Sequence, residues 1–215
     1  MESTGDAMSF SQSHKGHGAF AFTLVELLVV IMVIAILITI SIGLNTSVLD
    51  TTRLVGDAEK FIIQLSLGQQ TAIAENRPVE VRIYSFVADD IPDGEERYQA
   101  YQLWRIQNDG TDALPIGSPL LLNDGVVISG RNEYSSLIEL PKSRGEIYTG
   151  RQADYVSFQY LPNGETTLPP ASSSPNGHWF LTFVLLHNEL ANADITDFAT
   201  VQIDPFTGST RKLRL

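Results

Sequence analysis

The sequence predicts an α+β fold, a long N-terminal helix laid on an antiparallel β-sheet. Three observations predict it. From Phe22 to Ile42 the chain is apolar apart from a few hydroxyl residues and Glu26. From Leu54 to Ala72 apolar residues return every three or four positions, the repeat of a one-sided helix. After Pro78 the period falls to two, and turn-forming residues separate the runs that follow.

Taken in order, residues 1–21 are polar, rich in Ser, Gly and His, and without periodicity, which makes them a leader outside the fold. Residues 22–43 form the transmembrane half of the helix: about 20 apolar residues at about 1.5 Å each cross a hydrocarbon layer of roughly 30 Å. A cleaved secretory signal would have a shorter apolar core, a basic start and a small-residue site after the core. Here Lys15 stands against Glu2 and Asp6, and no such site follows Ile42. Gly43 and Asn45 interrupt the apolar run, where a helix can bend.

Residues 44–77 form the amphipathic half. Leu54, Ala58, Phe61, Leu65, Gly68 and Ala72 make its inner stripe, widened by Ile62 and Ile73. Asp57, Glu59, Lys60, Gln64 and Gln70 fill the other face, and Asn76 with Pro78 supplies the stop.

Residues 78–215 form a β-rich C-terminal domain. Val79, Val81 and Ile83 alternate with polar neighbours, and Tyr98 to Ile106 is a second strand, with acidic 89–96 as the hairpin loop. Val126–Ser129, Tyr155–Leu161, Trp179–Leu186 and Ala199–Asp204 are further strands. Pro162-Asn163-Gly164, Asp204 to Gly208 and the Pro169–Gly177 segment are the turns between them.

Bulk properties exclude several function classes. With a formal charge of −11 over 215 residues, the chain lacks the basic face of a nucleic-acid binder, and Arg211, Lys212 and Arg214 do not supply one. It has no cysteine, hence no disulfide framework and no thiolate metal site. No G-x-S-x-G elbow, phosphate-cradling glycine loop or zinc-protease helix is present, so no catalytic residue and no cofactor are assigned. His178 and His187 are isolated and read as loop and strand-end residues. Asp89, Asp90, Asp93, Glu95 and Glu96 have the hard oxygens calcium prefers, yet an acidic solvated loop accounts for them, and no metal is assigned.

Glu26 is the residue that asks for a function. An ionised acid in hydrocarbon costs about 2.5–3.5 kcal/mol on lenient insertion scales, so a plain anchor would carry Leu or Val there. Snorkelling to the headgroups is the bland account; a positively charged partner is the sharper one.

The run Phe22-Thr23-Leu24-Val25-Glu26, with the apolar stretch behind it, resembles the N-terminal signature of type IV pilin-like proteins. Later segments resemble the H-type minor pseudopilins of type II secretion: Leu65 to Tyr84, Val156 through Gly164, and Val201 to Gly208. Among subfamilies the chain resembles Verru_Chthon cassette protein D, a pilin-like group of unassigned function. Residues 85–150 carry no family pattern.

The resemblance implies a pilin-like fold and a structural, non-enzymatic subunit of a secretion pseudopilus. A prepilin peptidase would cut between Ala21 and Phe22, with N-methylation of Phe22. The subunit would sit in the bacterial inner membrane as a single-pass protein with its C-terminal domain in the periplasm. Its partners would be membrane lipid, an assembly platform and other pseudopilins or pilins, with no nucleic acid. The family residue before the cut is usually Gly; here it is Ala21.

Such a cut gives the acid a purpose. It creates an α-amino group, normally protonated at neutral pH, and Glu26 lies about one turn deeper, roughly 6 Å along the axis. A neighbour shifted by that amount would set its amine against the Glu26 carboxylate, fixing one axial stagger. Three rivals remain open at this point: a minor pilin of a type IV pilus serving adhesion, motility or DNA uptake, an anchored binding domain that never assembles, and an anchored periplasmic enzyme, which would need a pocket with convergent polar groups.

Overall fold

Leu54, Ala58, Phe61, Leu65 and Ala72 are each at most 1% exposed, so the predicted stripe is the side of the helix that a sheet covers. They belong to helix α1, Leu24–Glu75. The structure is a computed structural model that describes residues 23–87, 94–107, 112–148, 151–174, 177–191, 195 and 197–214; the side chains of 38–48, 148 and 214 lie outside it. Two units divide it, the described part of the first ending at Asn45 and the second running from Thr46. The leader, Ala21 and Phe22 fall outside the described residues, as do Asp89, Asp90 and Asp93 of the acidic loop.

In the first unit α1 is helical from Leu24, and the helix continues through Gly43 and Asn45.

In the second unit the helix ends on a left-handed residue, Asn76 with φ 52°, and the Arg77 N–H donates to the Ala72 carbonyl at 3.1 Å. That six-to-one bond satisfies a carbonyl the last turn would otherwise strand, and Pro78 follows, unable to continue a helix.

The strands are β1 Val79–Phe86, β2 Arg97–Ile106, β3 Ala113–Leu121, β4 Val126–Ile128, β5 Lys142–Tyr148, β6 Arg151–Tyr160, β7 Trp179–Leu185, β8 Phe198–Ile203 and β9 Thr210–Arg214. A short helix α2, Leu186–Ala191, follows β7. Every pairing is antiparallel, in the order β5-β6-β1-β2-β4-β7-β8-β9. The sheet branches at β2: Tyr98 opposes Ile128 of β4, while Ala100 to Ile106 pairs with β3. The α+β fold class holds as read, and the helix–sheet core contains Val81, Ile83, Leu103, Val156, Leu181, Phe183 and Val201. Phe61 sits at its centre, edge-on to Tyr101 at 4.9 Å and tilted against Phe183 at 5.7 Å.

Two side-chain expectations change. Asp57 is buried, 1% exposed, although its type suggested the polar face. Its position, three after Leu54 and one before Ala58, belongs to the buried stripe. Its carboxylate accepts the Asn123 backbone N–H at 2.7 Å, the Asn123 side-chain amide at 2.8 Å and Lys60 at 3.2 Å. Ile73, expected to widen the stripe, is 52% exposed.

Past the end of β4, hydroxyls take over its pairing with β7. The Ser129 N–H donates to the Thr182 carbonyl at 2.9 Å, and Ser135 Oγ accepts the Thr182 N–H at 3.1 Å. Ser136 Oγ accepts the Phe180 N–H at 2.9 Å and donates to the His178 carbonyl at 2.8 Å.

Candidate functional site

The start of α1 is built by Thr23. Its Oγ1 accepts the Glu26 N–H at 3.2 Å, which satisfies one of the donors every helix leaves unpaired at its N-terminus. Thr23-Leu24-Val25-Glu26 therefore has the spacing of a capping box, a signal present in the sequence but overshadowed there by the charge of Glu26. Only the threonine half of the box forms. The Glu26 carboxylate makes no bond back to Thr23 and none to any other group among the described residues. It is exposed in the first turn, where the partial positive charge of the helix end favours an anion.

The helix behind it is apolar on every side and bare. Leu24 is 81% exposed, Leu27 60%, Met32 61% and Leu37 59%, and no described residue from 23 to 37 is buried. Apolar surface of this extent, unrelieved by a polar face, is left uncovered by the described residues. Among the described residues no helix is long and apolar enough to cross a membrane; described side chains of this stretch stop at Leu37. Of the sequence-predicted site, Thr23, Leu24, Val25 and Glu26 lie together on the first turn, and Ala21 and Phe22 lie outside the described residues.

The three later segments quoted for the family resemblance meet at one junction in the second unit. Gln69 of α1 donates to the Gly164 carbonyl at 2.8 Å and to the Thr207 carbonyl at 2.8 Å, tying both turns to the helix. Thr166 Oγ1 donates to the Pro205 carbonyl at 2.8 Å, linking the turns to each other. Gly208, at φ 66°, is fixed by this junction: a Cβ there would meet Gln69 Nε2 at 2.6 Å and the Gly164 carbonyl oxygen at 2.7 Å. Asp204 Oδ1 accepts the Thr207 N–H at 2.8 Å and the Phe206 N–H at 2.9 Å. The Thr207 bond foremost holds its carboxyl below the usual carboxylate range. These contacts are architectural: they join the two turns to the helix and to each other.

On the sheet face away from α1, Arg82 lies between Trp104 at 4.3 Å and Tyr155 at 4.7 Å and pairs with Glu80 at 2.6 Å. Trp104 Nε1 donates to the Tyr84 hydroxyl at 2.9 Å. A groove of about 510 Å³ runs beside Trp104, Pro115, Pro119 and Ile147. Among the described residues no three His, Cys, Asp or Glu side chains are grouped to hold a metal ion.

No protein-family model matches the chain, and no curated protein matches it. The chain is similar to two solved structures of the minor pseudopilin EpsH from the type II secretion system of Vibrio cholerae. One has a TM-score of 0.41 at 14% identity, covering 75% of this chain and 97% of the other. The second has a TM-score of 0.43 at 12% identity, covering 76% and 95%.

Proposed function

We propose that the chain is a structural subunit of a pseudopilus of the type II secretion kind, of the H-type minor class, that assembles through its N-terminal helix. One observation carries this reading: from Leu24 to Leu37 the described helix exposes apolar side chains all round, and its single acid, Glu26, has no partner among the described residues. Lipid can cover the apolar surface, but lipid gives the acid no counter-charge. The α-amino group of a neighbouring subunit, freed by a prepilin peptidase between Ala21 and Phe22, supplies one. Thr23 occupies the Glu26 backbone N–H and leaves the carboxylate to that amine. In this reading the chain is a single-pass inner-membrane protein with its β-rich unit in the periplasm, its partners are other pseudopilins and the assembly platform, and it has no catalytic role.

The experiment uses the full chain in its native membrane. Because the chain has no cysteine, a single introduced cysteine near the helix start gives an unambiguous crosslink to neighbouring subunits. Glu26→Leu and Glu26→Gln are expected to reach the membrane in normal amounts and to lose crosslinking by about tenfold, the loss of one charge pair. Mass spectrometry should find a methylated Phe22 at the mature N-terminus. Undiminished crosslinking in both variants would overturn the assembly role.

A further inference from the structure

The geometry points to the free edge of β9, with the groove beside it, as a docking site for an extended acidic segment of a partner protein, added as a further strand. Three observations lead there.

The first is an open ladder. Strand β9 pairs with β8 over five residues with no register shift, and nothing pairs with its outer side among the described residues. The other edges are poorer templates. Strand β3 carries Pro115 and Pro119, which cannot donate, and β5 has a register shift between Glu146 and Tyr148. An unpaired regular strand offers alternating N–H and C=O groups, whose spacing an extended peptide backbone matches along its whole length.

The second is charge. The run Thr210-Arg211-Lys212-Leu213-Arg214 holds three of the fourteen Lys and Arg residues of a chain whose formal charge is −11. Lys212 lies in register with Val201, on the α1 side, and its Nζ is bonded to Glu59 of the helix at 2.5 Å. Arg211 lies on the opposite face and makes no ion pair or side-chain hydrogen bond among the described residues. A basic edge can simply guard a sheet against aggregation. A guard, however, would not also present Leu213, 45% exposed, on the same face.

The third is shape. Cross-strand register puts Phe180, Gln202 and Arg211 in one row and Thr182, Thr200 and Leu213 in the next. Phe180, Thr200, Gln202 and Leu213, together with His178 and Glu133, line a groove of about 350 Å³. A separate hollow of about 150 Å³, sharing Gln202, is lined by Asp204, Ser209 and Arg211; the Asp204 carboxylate there is already taken up by the Phe206 and Thr207 N–H groups. A strand added to β9 would place an acid opposite Arg211 and, two residues along, an apolar side chain opposite Leu213. The motif recognised is therefore acid-x-apolar in an extended chain.

The test uses the full chain in nonionic detergent and a fluorescent octapeptide that repeats Thr-Glu-Thr-Val, followed by anisotropy. Two twins serve as controls, one with Lys in place of Glu and one with Pro in place of Thr. The Glu peptide is expected to bind and both twins to fail. Arg211→Glu and Leu213→Asp, both on the surface, are each expected to weaken binding by about tenfold with the circular dichroism spectrum unchanged. Equal binding of the Glu and Lys peptides, an unaffected Arg211→Glu variant, or no peptide binding at all would overturn the proposal. Binding of inorganic polyphosphate through Arg211, with the peptide silent, would do so as well and would replace the strand with a simple anion.

Discussion

Both carboxylate oxygens of Asp57 are engaged by Asn123, one by its backbone N–H at 2.7 Å and the other by its side-chain amide at 2.8 Å. The pair ties the buried face of α1 to the connection between β3 and β4, sixty-six residues further along the chain. Removing the acid strands a half-buried N–H as well as an amide. Asp57→Ala is therefore expected to cost about 2–4 kcal/mol, and Asp57→Asn, which keeps one acceptor, about half of that. Urea unfolding should show the loss as a lower midpoint with an unchanged slope. A loss below that of an ordinary surface substitution would mean the contact is incidental.

Glu189 performs the same task on the far side of the sheet. Its carboxylate, 3% exposed, accepts the Gly130 N–H at 2.8 Å and the Ser129 hydroxyl at 3.0 Å, with Arg131 Nε at 3.5 Å. Glu189→Ala should destabilise by about 2–4 kcal/mol, and Glu189→Gln by less, since its oxygen can still take the Gly130 N–H. Amide hydrogen exchange at Gly130 is the local readout: protection should fall in the alanine variant and largely persist in the glutamine one.

The buried phenols predict a weakness in alkali. Burial pushes the Tyr84 hydroxyl up to about 12, opposed in part by Arg82, and burial pushes Tyr98 up to about 12, aided by Asp154 and Glu96. Tyr101 and Tyr160 are raised as well, burial again being the main cause. The native state holds these protons more tightly than the unfolded chain, whose tyrosines titrate near 10. The associated stability is complete below pH of about 10 and drains away as pH rises through about 12. Tyrosinate absorbance should appear together with loss of near-ultraviolet circular dichroism. Tyrosine ionisation well before any structural change would contradict the assignment.

The elements easiest to read were those where one physical signal dominated. The Leu54–Ala72 stripe, the Asn76 stop and the alternation in β1 and β2 each follow from a single period or a single backbone preference. Strand β3 hid behind Pro115, Gly117 and Pro119, residues that mark a loop unless the strand lies at an edge and one of its sides needs no donors. Strand β5, Lys-Ser-Arg-Gly-Glu-Ile-Tyr, and β9 hid behind charge, because edge strands are largely exposed and need no apolar alternation. Asp57 was misplaced for the opposite reason: its spacing was correct for burial, and its chemistry argued otherwise until Asn123 came into view.

At the candidate site the sequence held both halves of the story. Glu26 stands out by cost, whereas Thr23 is quiet, because a hydroxyl three residues before an acid is common and says only that a helix can begin there. The junction at Gln69 could not be read at all, since it joins residues ninety-five and one hundred and thirty-eight positions apart.

The serine edge of β7 carries a lesson for tracing ancestry. Ser135 and Ser136 sit in a stretch that looks freely variable, yet two amides of β7 and the carbonyl of His178 just before it are bound by their hydroxyls. Drift there is confined to small residues that keep an oxygen at the β-carbon. Descendants of this chain would thus preserve a sparse hydroxyl signature through a region that otherwise looks like filler.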